Sequence, residues 1–241
     1  MLSLTTFLTT TTLLISLTHA IPKPAPVPAP SVPASEYSLI NLRIEGSTTT
    51  IYEGPLLSGP RNVTTPSGGT HLCDGTNNGA NPTPGNTPTD ALATASQFFR
   101  FPFDGTFDSQ FDDFFITSIG PDTETATEFW GLLVNYQFTP VGGCQYEVKA
   151  GDKVLWAYNA FNLAHFLEVT PSEVVVKKGK SQTVKVIDGS TGSPVQGASI
   201  DGVTTDANGD AVLTFGKKGF FEYKATAPDS LRSNALYVTV V

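Results

Sequence analysis

The chain has 241 residues, enough for one large core or two modest ones. Its formal net charge is −8, from 22 acidic and 14 basic side chains, which argues against nucleic acid or an anionic membrane surface as partner. Few charges, together with 22 Gly and 18 Pro, favour strands and turns over helices.

Residues 1–20 read as a secretory signal peptide. Leu2 to Leu17 is apolar and Thr-rich but short for a membrane anchor, and Thr18-His19-Ala20 offers small residues at a cleavage site. Residues 21–36 form a Pro-rich linker, extended and solvated. No later stretch is long and apolar enough to span a bilayer, so the expected product is soluble and extracellular, free or held at the cell wall. Two cysteines in a secreted chain pair, and a Cys73–Cys144 bond would close a loop of about 70 residues, a contribution of roughly 4 kcal/mol in the chain-entropy model. Asn62-Val63-Thr64 is an N-glycosylation sequon.

The fold is expected to start at Glu36. Ile40, Leu42 and Ile44 alternate with Asn41, Arg43 and Glu45, the pattern of a half-buried strand with its polar side in water. Thr48 to Glu53 returns as its hairpin partner. Gly54 to Gly85 reads as a long loop pinned by Cys73. A helix then starts at Thr87, with Pro88 in the first position and Asp90 in a capping box; Ala91, Leu92, Ala95 and Phe98 or Phe99 form its apolar stripe. Residues 98–115 read as turns and short strands, with Asp104-Gly105 as a turn. Trp130, Leu132, Val134, Tyr136 and Phe138 share one face of a central strand, and Val154, Trp156 and Tyr158 share one face of the next. From Leu167 on, short strands alternate with turns at the even spacing of a sandwich.

Residues 129–135 (FWGLLVN) and 146–156 (YEVKAGDKVLW), in order after the helix and the Phe114–Gly120 segment, resemble the transcobalamin C-terminal-like domain family. The resemblance covers about residues 37–166 and implies a β-grasp fold, a curved sheet holding one helix. In the vitamin B12 carriers this domain closes over the corrinoid against a helical barrel. With one helix and no barrel, this chain is expected to present only a concave sheet face. Residues 167–241, on Thr204 to Ala211 and Leu231 to Asn234, resemble immunoglobulin-like modules of bacterial surface proteins. The pairing is similar to that of uncharacterised secreted two-domain proteins of actinobacteria and fungi.

The expected fold class is therefore mainly β: a β-grasp-like domain followed by an immunoglobulin-like β-sandwich. Trp130, Tyr136, Trp156 and Tyr158 are the candidate ligand-binding residues, set against the reading that they pack the sheet on the helix. Asp104, Asp108, Asp112 and Asp113 read as a solvated acidic surface; neither their spacing nor Asp206 to Asp210 matches a calcium loop, and no metal or cofactor is expected. His71 beside Cys73, with His165 far along the chain, is thin for acid–base or metal work. The leading expectation is a monomeric, secreted, non-catalytic binding or adhesion protein, its partner a small ligand or a cell-surface or wall component. A small-molecule carrier is the alternative, and it predicts an aromatic pocket near Trp156. A wall-polysaccharide hydrolase comes third, and needs two carboxylates about 5–10 Å apart across a groove.

Overall fold

A computed structural model describes residues 37–241; the expected signal peptide and Pro-rich linker, residues 1–36, lie outside the described residues. The first strand, β1 (Ser38–Glu45), turns back through β2 (Thr50–Ser58) as an antiparallel hairpin. Next come β3 (Arg61–Thr65) and β4 (Gly69–Cys73), a small hairpin inside the stretch expected to be a loop. It forms because Val63, Thr65 and Cys73 alternate inward on strands too short to stand out in the sequence. Asn62 lies on the exposed face of β3, in a strand rather than a loop.

Helix α1 (Pro88–Phe99) carries the expected capping box: the Asp90 amide donates to Thr87 Oγ1 and the Thr87 amide to Asp90. Ala91, Leu92 and Ala95 are fully buried. The stripe stops there, for Phe98 and Phe99 are exposed, and Arg100 closes the helix in a left-handed conformation. Strands β5 (Phe103–Asp108) and β6 (Asp113–Ile119) pair antiparallel, with β7 (Asp122–Thr123) beside β6. Asp104-Gly105 is a bulge within β5, not a turn.

Strand β8 (Trp130–Val134) hairpins into β9 (Gln137–Phe138) and is followed by β10 (Lys153–Tyr158). Together these make a mixed five-stranded sheet in the order β2-β1-β10-β8-β9, where β1 and β10 run parallel. Its even face packs on α1 through Ile40, Leu42, Ile44, Leu132, Val134, Val154 and Trp156.

The strand β11 (His165–Thr170) crosses the expected boundary between the two regions. Beyond it run β12 (Glu173–Val176), β13 (Ser181–Asp188), β14 (Ser199–Ile200), β15 (Val203–Thr204), β16 (Asp210–Thr214), β17 (Gly219–Tyr223), β18 (Ser230–Leu231) and β19 (Leu236–Val240). One sheet is β16-β13-β11-β18 and another β12-β19-β17; they enclose a shared core of Leu167, Val169, Val184, Val186, Leu213, Leu236 and Val238. The protein is thus mainly β, with one α-helix among the described residues and a sandwich after the mixed sheet. Among those residues no helix is long and apolar enough to cross a membrane.

The sandwich is not held at a distance. Leu133, Tyr136, Leu155, Ala157 and Ala160 from the odd face of the mixed sheet form a third core with Phe166 and Leu231. Arg43 and Glu45, expected in water, are buried on that face at 6% and 0% exposure. Glu45 meets Lys224 Nζ at 2.6 Å and Arg232 Nη2 at 2.7 Å. Glu53 meets Lys224 as well, and accepts from the Ala235 amide at 2.9 Å. The alternation of β1 was visible in the sequence, but not that a second layer covers its polar side.

The disulfide joins Cys73 to Cys144, both fully buried. Beside it lies Asp113, whose carboxylate oxygens each accept from the Cys144 amide at 3.1 Å, with one accepting from its own neighbour Phe114 at 2.7 Å. Burial pushes this carboxyl up to about 6, against the opposing pull of the Cys144 and Phe114 amides. Burial also raises Asp90 well above the usual carboxylate range. The folded state therefore keeps the Asp113 proton over an interval in which the unfolded chain has already lost it. Its contribution to stability is largest below about pH 4 and falls as pH rises to about 6, by about 3 kcal/mol. Asp113→Asn should flatten that slope; urea unfolding at pH 4.5 and 7.5 measures it, and an unchanged slope would refute the assignment.

Candidate functional site

A cavity of about 540 Å³ lies where the odd face of the mixed sheet meets the sandwich. That is within the range of small-ligand pockets. The sheet supplies Asn41, Arg43, Tyr136, Lys153 and Leu155, and β2 adds Glu53, Gly54 and Pro55. The far wall comes from Glu168 to Glu173, with Asn234, Ala235 and Tyr237.

Of the four aromatic candidates, only Tyr136 stands in this wall, and it arrives there by an unexpected route. The run Trp130 to Phe138 is not one strand. Asn135 and Tyr136 both take left-handed backbone (φ 51° and 62°), so a two-residue turn joins Val134 to Gln137. That turn moves Tyr136 from the helix side, where strict alternation put it, to the sandwich side. A bulky residue at positive φ costs of order 1–3 kcal/mol and persists only where its surroundings over-determine it. Here Ser190 Oγ donates to the Tyr136 carbonyl at 2.9 Å, and Gln137 donates to the Ser190 carbonyl at 2.8 Å. Gly189 lies flat against the ring: a Cβ there would be about 2.4 Å from it, so only glycine permits the approach. The ring has Arg43 at 5.6 Å and Lys153 at 5.4 Å from its centroid. Its hydroxyl makes no hydrogen bond among the described residues, and burial pushes it up to about 12.

The other three aromatics lie elsewhere. Trp156 is on the opposite face of β10, against α1, with Nε1 donating to the Pro88 carbonyl at 3.3 Å. The pocket expected near Trp156 is thus on the other side of its strand. Trp130 is buried too, its Nε1 donating to the Asp122 carbonyl at 3.2 Å. Tyr158 stands edge-on to Trp130 at 5.4 Å and donates to the Thr123 carbonyl at 2.9 Å. It borders a second hollow of about 200 Å³ with Glu128 and Arg232. The four side chains therefore do not converge on one ligand.

Three of the cleft's charges are already engaged: Lys153 Nζ pairs with Glu168 at 2.5 Å, and Glu53 is held as described. Arg43 is not. Its Nη1 donates to the Arg232 carbonyl at 3.3 Å, and its Nη2 is buried without a hydrogen-bond partner among the described residues. Nothing in the sequence marked Arg43, because its burial depends on residues nearly the whole chain away.

The acidic candidates stay out of the cleft. Asp104 is bound by Ser67 through amide and hydroxyl, and Asp108 accepts from the Gln110 amide at 2.8 Å. Asp113 is buried beside the disulfide. His71 stacks on Phe107 at 3.4 Å, and His165 Nδ1 is 3.1 Å from Asp188. Among the described residues no group of three or more His, Cys, Asp or Glu is placed to hold a metal ion.

Fold and cleft together define a mainly β protein with a ligand-sized cavity between a mixed sheet and a sandwich. Residues 103–160, spanning β5 to β10, match the family model described as "Domain of unknown function (DUF4430)". Among solved structures, one similar chain is haptocorrin in complex with Cbi, at 13% identity and a TM-score of 0.31. That likeness covers 53% of this chain, which spans only 26% of the haptocorrin chain. No curated protein matches.

Proposed function

We propose that the protein is a secreted, non-catalytic binding protein that holds a small molecule in the cleft between sheet and sandwich. The observation that carries this reading is the cavity itself, walled by sheet and sandwich and floored by a strained Tyr136 beside Arg43. Residues 37–166 act as the ligand-presenting domain, akin to the transcobalamin C-terminal-like domains on the residues named above. Residues 167–241, an immunoglobulin-like domain, supply the second wall rather than a spacer. The buried disulfide supports an oxidising, extracellular setting. Trp130, Trp156 and Tyr158 serve the fold, and Tyr136 serves the ligand.

A surface partner is the second reading. Phe138 and Phe161 stack at 5.0 Å, and both are exposed, as is Phe115 next to Phe129. Exposed apolar patches of this kind mark contact surfaces.

Ser172 is exposed and borders the cleft, so Ser172→Trp should plug it without touching the core. A fragment screen by ligand-observed NMR should give hits on the parent that Ser172→Trp loses, with its unfolding midpoint unchanged. Hits that survive the plug would move the site elsewhere. Turnover of a wall glycan by the purified protein would end the non-catalytic reading.

A further inference from the structure

The two most exposed large apolar side chains among the described residues, Phe220 at 86% and Val175 at 75%, stand in one row. Val175 is paired across to Thr239, and Thr239 to Phe220, so the three lie side by side on the outer face of β12, β19 and β17. Their neighbours Val174, Val238 and Phe221 alternate to the opposite face and pack in the sandwich core. One row toward the start of β19, Glu173 and Glu222 flank Tyr237. Burial raises the Tyr237 hydroxyl, and the carboxylates of Glu53, Glu222 and Glu173 push it the same way. One row toward the end of β19, the Val241 amide donates to the Val176 carbonyl and the Val241 carbonyl accepts from Lys178, which sets Val241 beside Lys177. Lys217 and Lys218 lead into β17 at that same end. Along β19 the face thus runs from acid through apolar to base. Neither Glu173 and Glu222 nor Lys177 and Lys218 form ion pairs among the described residues.

An exposed apolar row between charged ends is a contact surface, and the order of the charges says what fits it. A partner of uniform charge would suit only one end. A second copy, turned about a two-fold axis along the Thr239 row and across the strands, lays acid on base at both ends and apolar on apolar between them. We propose that this face joins two copies of the chain in an isologous dimer. Phe220, Val175 and Thr239 meet their own equivalents, and Glu173 faces Lys177 of the second copy. At the other edge of the sheet, Glu222 meets the Lys217-Lys218 end. Three strands about 4.8 Å apart, with five residues each at about 3.3 Å, make a face of roughly 15 by 17 Å. That is short of the ~800 Å² per partner of a standard interface, so the association is weak, on the order of tens of micromolar. The dimer departs from the monomer expected on sequence, and it does not depend on the cleft being a binding site.

Sedimentation velocity of the purified protein from about 5 to 500 μM should show one species giving way to another of twice its mass. Phe220→Ser should weaken the association at least about tenfold, with the unfolding midpoint unchanged because Phe220 stands outside the core. Lys177→Glu should weaken it at least about threefold, since the two-fold axis then sets like charges together twice. Adding Glu173→Lys to Lys177→Glu should restore the parent association, because the exchanged pair matches again across the axis. A protein that stays monomeric throughout the range would overturn the proposal and leave the face to another occupant. Association indifferent to Phe220→Ser would overturn it too, and move the contact elsewhere, with the exposed Phe138–Phe161 pair next to be tested. A double exchange that fails to recover would overturn the two-fold arrangement.

Discussion

Glu45→Gln is expected to cost about 3–5 kcal/mol, the price of breaking a buried ion cluster from one side. Glu45 is fully buried, holds Lys224 at 2.6 Å and Arg232 at 2.7 Å, and also accepts from Thr50 Oγ1 at 3.0 Å. Glutamine keeps the shape and one acceptor but removes the negative charge that Lys224 and Arg232 share. Arg232 retains the Gly46 carbonyl at 2.8 Å, so the cluster loosens rather than vanishes. Urea unfolding followed by both tryptophan fluorescence and circular dichroism measures the loss. Both tryptophans sit in the first module, so early detachment of the sandwich would separate the two curves. Adding Lys224→Met should recover part of the loss, because the double variant no longer strands that ammonium. A cost under about 1 kcal/mol would show that water, not Glu45, solvates these cations.

Replacing both Cys73 and Cys144 with alanine should cost about 4 kcal/mol in the chain-entropy account, for a separation of 71 residues. The bond ties the β3–β4 hairpin to the segment that seats the helix. Gly75 donates to the Cys144 carbonyl at 3.0 Å, and Thr89 in the first turn of α1 donates to the Gly143 carbonyl at 3.2 Å. Gly143 in turn lies against the Trp156 ring. Loss of the link should therefore loosen the start of α1 as well as the hairpin. Hydrogen exchange at Thr89 to Leu92 reports this separately from global stability. A double variant within about 1 kcal/mol of the parent, with α1 still protected, would place the link outside the stabilising framework.

What the sequence disclosed was local. The capping box at Thr87 and Asp90 lies within one helical turn, so it can be read without knowing the fold. The cysteine pairing followed because two cysteines leave one choice. The strands at 40–44 and 154–158 showed by the large apolar residues at every second position, although both faces of each are buried. The turn at Asn135-Tyr136 escaped because Tyr136 is a poor residue for left-handed backbone; what holds it there is Gly189 and Ser190, more than fifty positions later. The cleft escaped for the same reason. Arg43 and Glu45 look like any solvent-facing residues of an amphipathic strand until Lys224, Arg232 and Ala235 are laid over them. Exposed Phe98 and Phe99 went astray because periodicity does not say where the core ends beneath a helix.

The parallel pairing of β1 with β10 has a bearing on how this chain comes into being. A hairpin of β1 and β2 emerges first, with one edge open, and must wait for residues 153–158 before that edge closes. Even then Glu45 and Glu53 stand without cations until Lys224 and Arg232 have followed. The opening segment is thus certified by the closing one. A chain released before Lys224 carries a complete mixed sheet on which Glu45 and Glu53 lack the cations that hold them in the finished molecule.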